Sequence, residues 1–317
     1  MPAEACSIPL SFLPASVLGR LTRRLPQVRA RLVLRPVRTL ARILARGVAL
    51  VFAFAAACSP APAGARAPEV ITVSAAASLS EVLAEVIEAF EPARPGISVQ
   101  LNLGSSGALQ RQIELGAPVD VFLSAAAGPV QALVDKGLVP ADQVWVFATN
   151  RVVLVASQNA SPGLQSWKDL LRSDVRRIAV GNPEHVPAGQ YGRAVLESLG
   201  LWGPIEGKLV FGEDVRQVLA YVASGEVDAA IVYSTDVAAG SWAGRAPAVV
   251  GPAAGAPAGR IRLVAEAPGE SHEPVVYLAA ILRDSRAPTP ARSFVDFLVS
   301  AEGQAILNRY GFGGARD

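Results

Sequence analysis

The chain has 317 residues, 51% of them hydrophobic, with 29 basic and 27 acidic side chains and a net charge of +2. That balance conceals two halves of unlike composition, because residues 1–68 hold ten Arg, no Lys and a single acid, Glu4. Without them 19 basic and 26 acidic residues remain, about −7 with His neutral, which leaves no electrostatic footprint for nucleic acid or anionic lipid.

Arg38, Arg42 and Arg46 lead into the apolar run 47–57, GVALVFAFAAA. It is too short to span a bilayer comfortably and has the charged-then-apolar order of a secretory signal, so the chain is read as exported and residues 1–68 as signal segment and linker. Cys58 closes the run ahead of SPAPAGA, an extended or flexible linker. Its placement matches a bacterial lipoprotein acceptor, although Ala55 stands where the lipobox usually has Leu; the other reading is a plain signal cleaved near Ala57 or Ala65. The segment before Arg38 is longer than a signal needs and no Met follows Met1, which suggests a downstream Val or Leu start codon or an unusually long n-region. Past Cys58 there is no cysteine, which excludes disulfides and thiolate metal sites, and His185 and His272 are too few for a metal cluster.

From residue 69 the pattern alternates strands and helices. Strands are expected at 70–74, 97–103, 119–124 and 144–147, with helices at 79–90, 108–115 and 129–136; Leu79, Val82, Leu83, Val86, Ile87 and Phe90 fall on one helical face. A second set has strands at 152–156, 178–180 and 229–233 and helices at 191–199 and 215–224. Residues 243–259, rich in Ala, Gly and Pro, read as a surface loop. Strands at 262–265 and 275–282 and helices at 291–299 and 302–309 complete the chain. The βα alternation implies an α/β protein with mixed, mostly parallel sheets flanked by helices. We divide it into one lobe of 69–150 plus 276–317 and a second of 151–275, with a hinged cleft where the chain crosses twice.

Four short loops stand where a strand hands over to a helix: 75–79, AAASL; 104–108, GSSGA; 185–189, HVPAG; and 212–216, GEDVR. A helix N-terminus carries unpaired N–H groups and about half a positive charge, so four of them aimed at one point would cage a small oxyanion without formal counter-charge. Taken singly, Ser78 and Ser106 read as ordinary N-caps, Asp214 as the cap of the helix starting at Val215, and Tyr233 as a core aromatic. His185 reads as a turn residue, and Arg111 and Arg216 as surface or inter-lobe partners.

Residues 71–79 (ITVSAAASL), 116–122 (GAPVDVF), 181–189 (GNPEHVPAG), 213–216 (EDVR) and 231–233 (IVY) resemble the periplasmic molybdate-binding proteins of bacterial ABC uptake systems in order and spacing, as does the closing stretch from Ser300 to Phe312. The resemblance implies a two-lobed type II periplasmic-binding-protein fold. It implies a molybdate or tungstate oxyanion bound by the hydroxyls and N–H groups of Ser78 and Ser106, the N–H groups of Ala188 and Val215 and the phenol of Tyr233. The molybdenum is then held through its oxygens, with no protein atom coordinating the metal and no cofactor. The loop at Ser106 departs from the usual run of hydroxyl residues by having Gly107, and either Ser105 or Ser106 can be the contact. The implied partner is the transmembrane permease of an ABC transporter, and the protein is expected to act as a monomer and not as an enzyme. The alternatives are a carrier of sulfate or another oxyanion, and a secreted serine hydrolase using Ser78 or Ser106, against which stands the lack of a Gly-x-Ser-x-Gly elbow.

Overall fold

The computed structural model describes residues 68–157, 163–241 and 261–314. Cys58, the export segment and the loop read at 243–259 lie outside them. The first half runs β1 (Glu69–Ala76), a 3-10 turn (Ala77–Leu79), α1 (Ser80–Ala93), β2 (Ile97–Gly104), α2 (Ser106–Glu114), β3 (Val121–Ser124), α3 (Ala127–Asp135) and β4 (Val144–Asn150). After the single residue Arg151 come β5 (Val152–Ser157), β6 (Ile178–Gly181), α4 (Pro187–Ser198), α5 (Trp202–Ile205), β7 (Leu209–Gly212), α6 (Val215–Ser224), β8 (Ala229–Tyr233), α7 (Ser234–Ser241) and β9 (Ile261–Glu266). The chain ends with β10 (Val275–Ile281), α8 (Pro288–Val299) and α9 (Ala301–Arg309).

These elements build two five-stranded sheets, β2-β1-β3-β10-β4 and β7-β6-β8-β5-β9, the cores of two lobes. In the first, β1 pairs in parallel with β2 and β3, while β10 runs antiparallel to β3 and β4. The second repeats the arrangement, with β6 parallel to β7 and β8, and β5 antiparallel to β8 and β9. The antiparallel share comes from strands beside the crossovers, where the chain leaves one sheet at Asn150 and returns between Glu266 and Val275.

Local chemistry explains most element ends. Val82, Leu83, Val86 and Phe90 form the buried stripe of α1, and Phe90 meets Phe294 and Phe297 of α8 edge-on at 5.2 and 5.6 Å. Asp214 caps α6 by accepting the Gln217 N–H at 2.9 Å, and Gly225 ends that helix in the left-handed region at φ 78°. Helix α4 starts at Pro187, four residues before its apolar periodicity becomes evident, because proline suits the first helical position. The sequence reading has no counterpart for β7, α5 or α7. Strand β7 has four residues, pairs only with β6 and leaves Phe211 half exposed, so no alternation marks it.

The start of α4 is pressed onto the end of β6. A Cβ on Gly189 would lie 1.9 Å from the Gly181 carbonyl oxygen, a backbone atom that cannot step aside. Gly189→Ala should therefore destabilise the protein by about 1–3 kcal/mol, read as a lowered urea midpoint at unchanged slope.

Candidate functional site

Every loop that faces the cleft follows the carboxyl end of a strand, the edge at which open α/β sheets present ligand sites. Ala76 ends β1 and Ala77 and Ser78 follow it; Gly104 ends β2 and Ser105 and Ser106 follow it; Ala125 follows β3. From the second sheet, Val186, Pro187 and Ala188 lie beyond β6, Asp214 and Val215 beyond β7, and Tyr233 ends β8. Together they line one cavity with about 210 Å³ of empty space including its open mouth, a size suited to a small ion. The five residues singled out in the sequence, Ser78, Ser106, Ala188, Val215 and Tyr233, all lie on its wall, and all are buried. Among the described residues no Lys, Arg or His lines it.

The hydrogen bonds at each helix start decide which donors remain. In α2 the Gly107 N–H bonds the His185 carbonyl across the cleft at 3.0 Å and the Ala108 N–H bonds Ser105 Oγ at 3.4 Å, leaving the Ser106 N–H. In α4 Pro187 has no N–H, while Gly189 and Gln190 both donate to the Val186 carbonyl, leaving Ala188. In α6 Gln217 and Val218 donate to Asp214, leaving the N–H groups of Val215 and Arg216. The helix macrodipole adds its partial positive charge at each start.

The same accounting applies to the hydroxyls of Ser105 and Ser106, which both line the cavity. Ser105 Oγ accepts the Ala108 N–H as the cap of α2 and Ser106 Oγ accepts the Ala125 N–H at 3.0 Å, so each hydroxyl is placed by an acceptor bond and each keeps its own proton to donate. Gly107 also has a steric cause: a Cβ there would sit 2.6 Å from the His185 carbonyl oxygen, so the cross-cleft approach excludes a hydroxyl residue.

Ser78 belongs to a relay that sequence reading missed. Asn150, the last residue of β4, accepts the Arg151 N–H and the Ser234 hydroxyl on Oδ1, which fixes Nδ2 as its donor side. Nδ2 donates to Thr235 Oγ1 at 2.9 Å and to Tyr277 Oη at 3.2 Å. Tyr277 Oη, which accepts from Asn150, lies 2.9 Å from Ser78 Oγ in a bond that either hydroxyl can donate; with Tyr277 as the donor the Ser78 proton is free. Asn150 and Tyr277 lie more than 100 residues apart and carry no local motif, so only the pairing of β10 with β4 brings them together.

Tyr233 closes the wall from the second lobe. Its ring meets Tyr277 edge-on at 6.0 Å, in a cluster that also contains Phe147 and Phe312. Its hydroxyl is buried with no hydrogen-bond partner among the described residues. Burial holds the phenol well above its ordinary value, with Tyr277, Tyr191 and Asp236 adding to the effect, so the group stays a neutral donor.

The remaining polar groups are engaged elsewhere. His185 Nε2 lies 3.1 Å from Glu213 Oε2, and His272 Nδ1 lies 2.6 Å from the Glu273 carbonyl. Neither histidine is a partner of Ser78 or Ser106, as a nucleophile and its base would be. Among the described residues no three His, Cys, Asp or Glu side chains are placed to hold a metal ion. Arg111 is exposed on α2, while Arg216 reaches across the cleft to the Ala77 and Ser78 carbonyls.

The chain belongs to the bacterial extracellular solute-binding proteins, whose family model matches residues 71–313. Among curated relatives it is 38% identical to the "Putative ABC transporter substrate-binding lipoprotein YvgL" of Bacillus subtilis, over 76% of this chain and 85% of that protein. It is 34% identical to the "Molybdate-binding protein ModA" of Escherichia coli, over 76% of this chain and 88% of that protein. Among solved structures it is similar to the periplasmic molybdate-binding protein of Azotobacter vinelandii, with a TM-score of 0.63 and 26% identity over 76% of this chain and 98% of that one. These likenesses make it a solute-binding protein of an ABC transporter with the two-lobed fold of the periplasmic binding proteins.

One buried group beside the cavity titrates in an accessible range. Asp236 Oδ2 accepts the Tyr233 N–H at 2.9 Å, and burial pushes its carboxyl from 3.8 up to about 6, opposed mainly by Arg216. The folded state thus holds a proton that the unfolded chain has already released. The stabilisation this proton gives is complete below about 3.8 and is lost as pH rises through about 6. Relative to Asp236→Asn, the wild type should lose on the order of 3 kcal/mol of unfolding free energy between about pH 4 and pH 7, measured by urea titration.

Proposed function

We propose that the protein captures molybdate, and with it tungstate, in the cleft and hands it to the transmembrane permease of an ABC transporter. The observation that carries this reading is the Tyr233 hydroxyl, a buried neutral donor lining the cavity without an acceptor. It stands beside the hydroxyls and N–H groups of Ser78 and Ser106 and the N–H groups of Ala188 and Val215. About seven such donors, each worth roughly 1.5–3 kcal/mol toward a charged acceptor, can offset the desolvation of a dianion and its lost freedom. The relatives named for molybdate support the same ligand.

The lining also selects among anions. Phosphate near neutral pH keeps a proton that needs an acceptor, and the carboxylate on the wall, Asp214, is occupied as a helix cap. Sulfate is unprotonated but smaller, and cannot reach all donors in a cavity sized for longer metal–oxygen bonds. We take residues 69–150 with 276–317 as one moving body and 151–275 as the other, closing on the anion about the two crossovers. Titration calorimetry with molybdate, tungstate, sulfate and phosphate should show one-to-one binding of the first two and far weaker binding of the others. Tyr233→Phe should lower molybdate affinity by about one to two decades, and X-ray scattering should show the wild type contracting on molybdate. Sulfate binding as tight as molybdate would favour a sulfate carrier, and turnover of model esters would favour the hydrolase.

The exported chain is placed outside the cytoplasmic membrane, anchored through acylated Cys58. The B. subtilis relative named as a lipoprotein supports this. Cys58→Ser should move the protein from the membrane fraction to the soluble one with molybdate affinity unchanged, whereas a mature N-terminus beyond Cys58 in mass spectrometry would rule the anchor out.

A further inference from the structure

We propose that Arg216 is a positioning residue that bridges the closed cleft, tying Ser78 of the first lobe to Val215 and Tyr233 of the second. It follows Val215 directly, and its guanidinium is largely buried. Nε donates to the Ala77 carbonyl at 3.1 Å and an Nη donates to the Ser78 carbonyl at 3.3 Å. The same nitrogen pairs with Glu81 in the first turn of α1, and the other Nη lies 3.5 Å from Asp236 Oδ1. Two carbonyls and one carboxylate of the first lobe thus meet one carboxylate of the second on a single planar fork, a geometry that lysine cannot reproduce.

Two consequences follow for the cavity. In a trans peptide the C=O and N–H point in opposite directions, so holding the Ala77 carbonyl turns the Ser78 N–H away from the guanidinium. Arg216 therefore sets the orientation of a cavity donor without touching the anion. It also sits between Glu81 and Asp236, two carboxylates whose charge would otherwise oppose a dianion in the cleft. Asp236 in turn accepts the Tyr233 N–H, so the bridge reaches the backbone of the phenol donor. Opening the cleft breaks the bonds to Ala77, Ser78 and Glu81 while the pair with Asp236, on the same lobe, persists. The bridge is thus worth most in the closed state and acts on ligand release.

This inference rests on the oxyanion reading of the cavity. Its test uses molybdate with the full mature chain as wild type, Glu81→Gln, Arg216→Gln, Arg216→Lys and the Glu81→Gln/Arg216→Gln double variant. Calorimetry gives affinity, stopped-flow fluorescence gives dissociation, and thermal melting follows the unliganded protein. Arg216→Gln should weaken molybdate at least tenfold, chiefly through faster dissociation. Glu81→Gln should weaken it severalfold with the unliganded melting temperature nearly unchanged, and the double variant should be little worse than Arg216→Gln alone. Arg216→Lys should recover only part of the loss. If Arg216→Gln fails to fold, Glu81→Gln decides, since it neutralises the charged cross-cleft partner and leaves Arg216 in place. Wild-type affinity and dissociation in Glu81→Gln would overturn the bridge alone; a wild type that binds none of molybdate, tungstate, sulfate and phosphate would overturn the oxyanion reading and the bridge with it.

Discussion

A binding site without cationic side chains depends on one constraint: several backbone N–H groups must reach a common point with their partners removed. A helix interior cannot supply them, because each N–H is spent on the carbonyl four residues back, so the first turns are the available source. Here the helix starts that border the cavity are fixed by packing on the carboxyl ends of strands, as the contact between Gly189 and Gly181 shows. The rest of the architecture serves to bring two such strand edges face to face. The crossover at Arg151 and the return before Val275 do so, and one continuous apolar cluster runs from Val73 and Tyr277 to Ile231 and Tyr233.

Side chains complete what the helix starts begin, and burial gives them their character. The aromatic cluster around Tyr277 excludes water from beneath the cavity, which keeps the phenols of Tyr233 and Tyr277 protonated. A protonated phenol is a donor, and the direction of each hydrogen bond then follows from its neighbour. Asn150 can only donate through Nδ2, so Tyr277 Oη accepts there, and where Tyr277 also donates to Ser78 the Ser78 proton is left for the cavity. Two ordinary hydrogen bonds thus link Asn150, beside the crossover, to the cavity wall.

The contacts that join the lobes use the residues beside the donors. Gly107 adjoins Ser106, His185 lies three residues before Ala188, and Arg216 follows Val215. On the proposed reading, closure and the alignment of donors are one event, since the bonds between the lobes also consume the N–H of Gly107 and hold the Ala77 carbonyl. A tight approach of this kind costs sequence freedom, and Gly107 is where that cost is visible.

Much of this was legible in the residues themselves. The alternation of apolar runs with 3.6-residue periodicity marked most strands and helices, because burial on a sheet imposes those periods on sequence. Strand-to-helix junctions with small or hydroxyl residues marked the loops that line the cavity, since they must leave backbone N–H groups uncovered. Some elements were not legible: β7 pairs with β6 alone among the described residues, α5 has four residues, and α7, STDVAAGS, carries no apolar stripe. Sequence could not show how the Ser106 hydroxyl is held, because its partner is the Ala125 N–H, a contact 19 residues away. Nor could it find Asn150, Tyr277 or the reach of Arg216 to Glu81, for which hydrogen bonds form between residues separated by up to 199 positions. Local sequence determines where a helix begins and which N–H groups lack a partner within it; only the tertiary structure decides which of them stay free and what they face, because direction and distance across the cleft are set by sheet pairing and the two chain crossings.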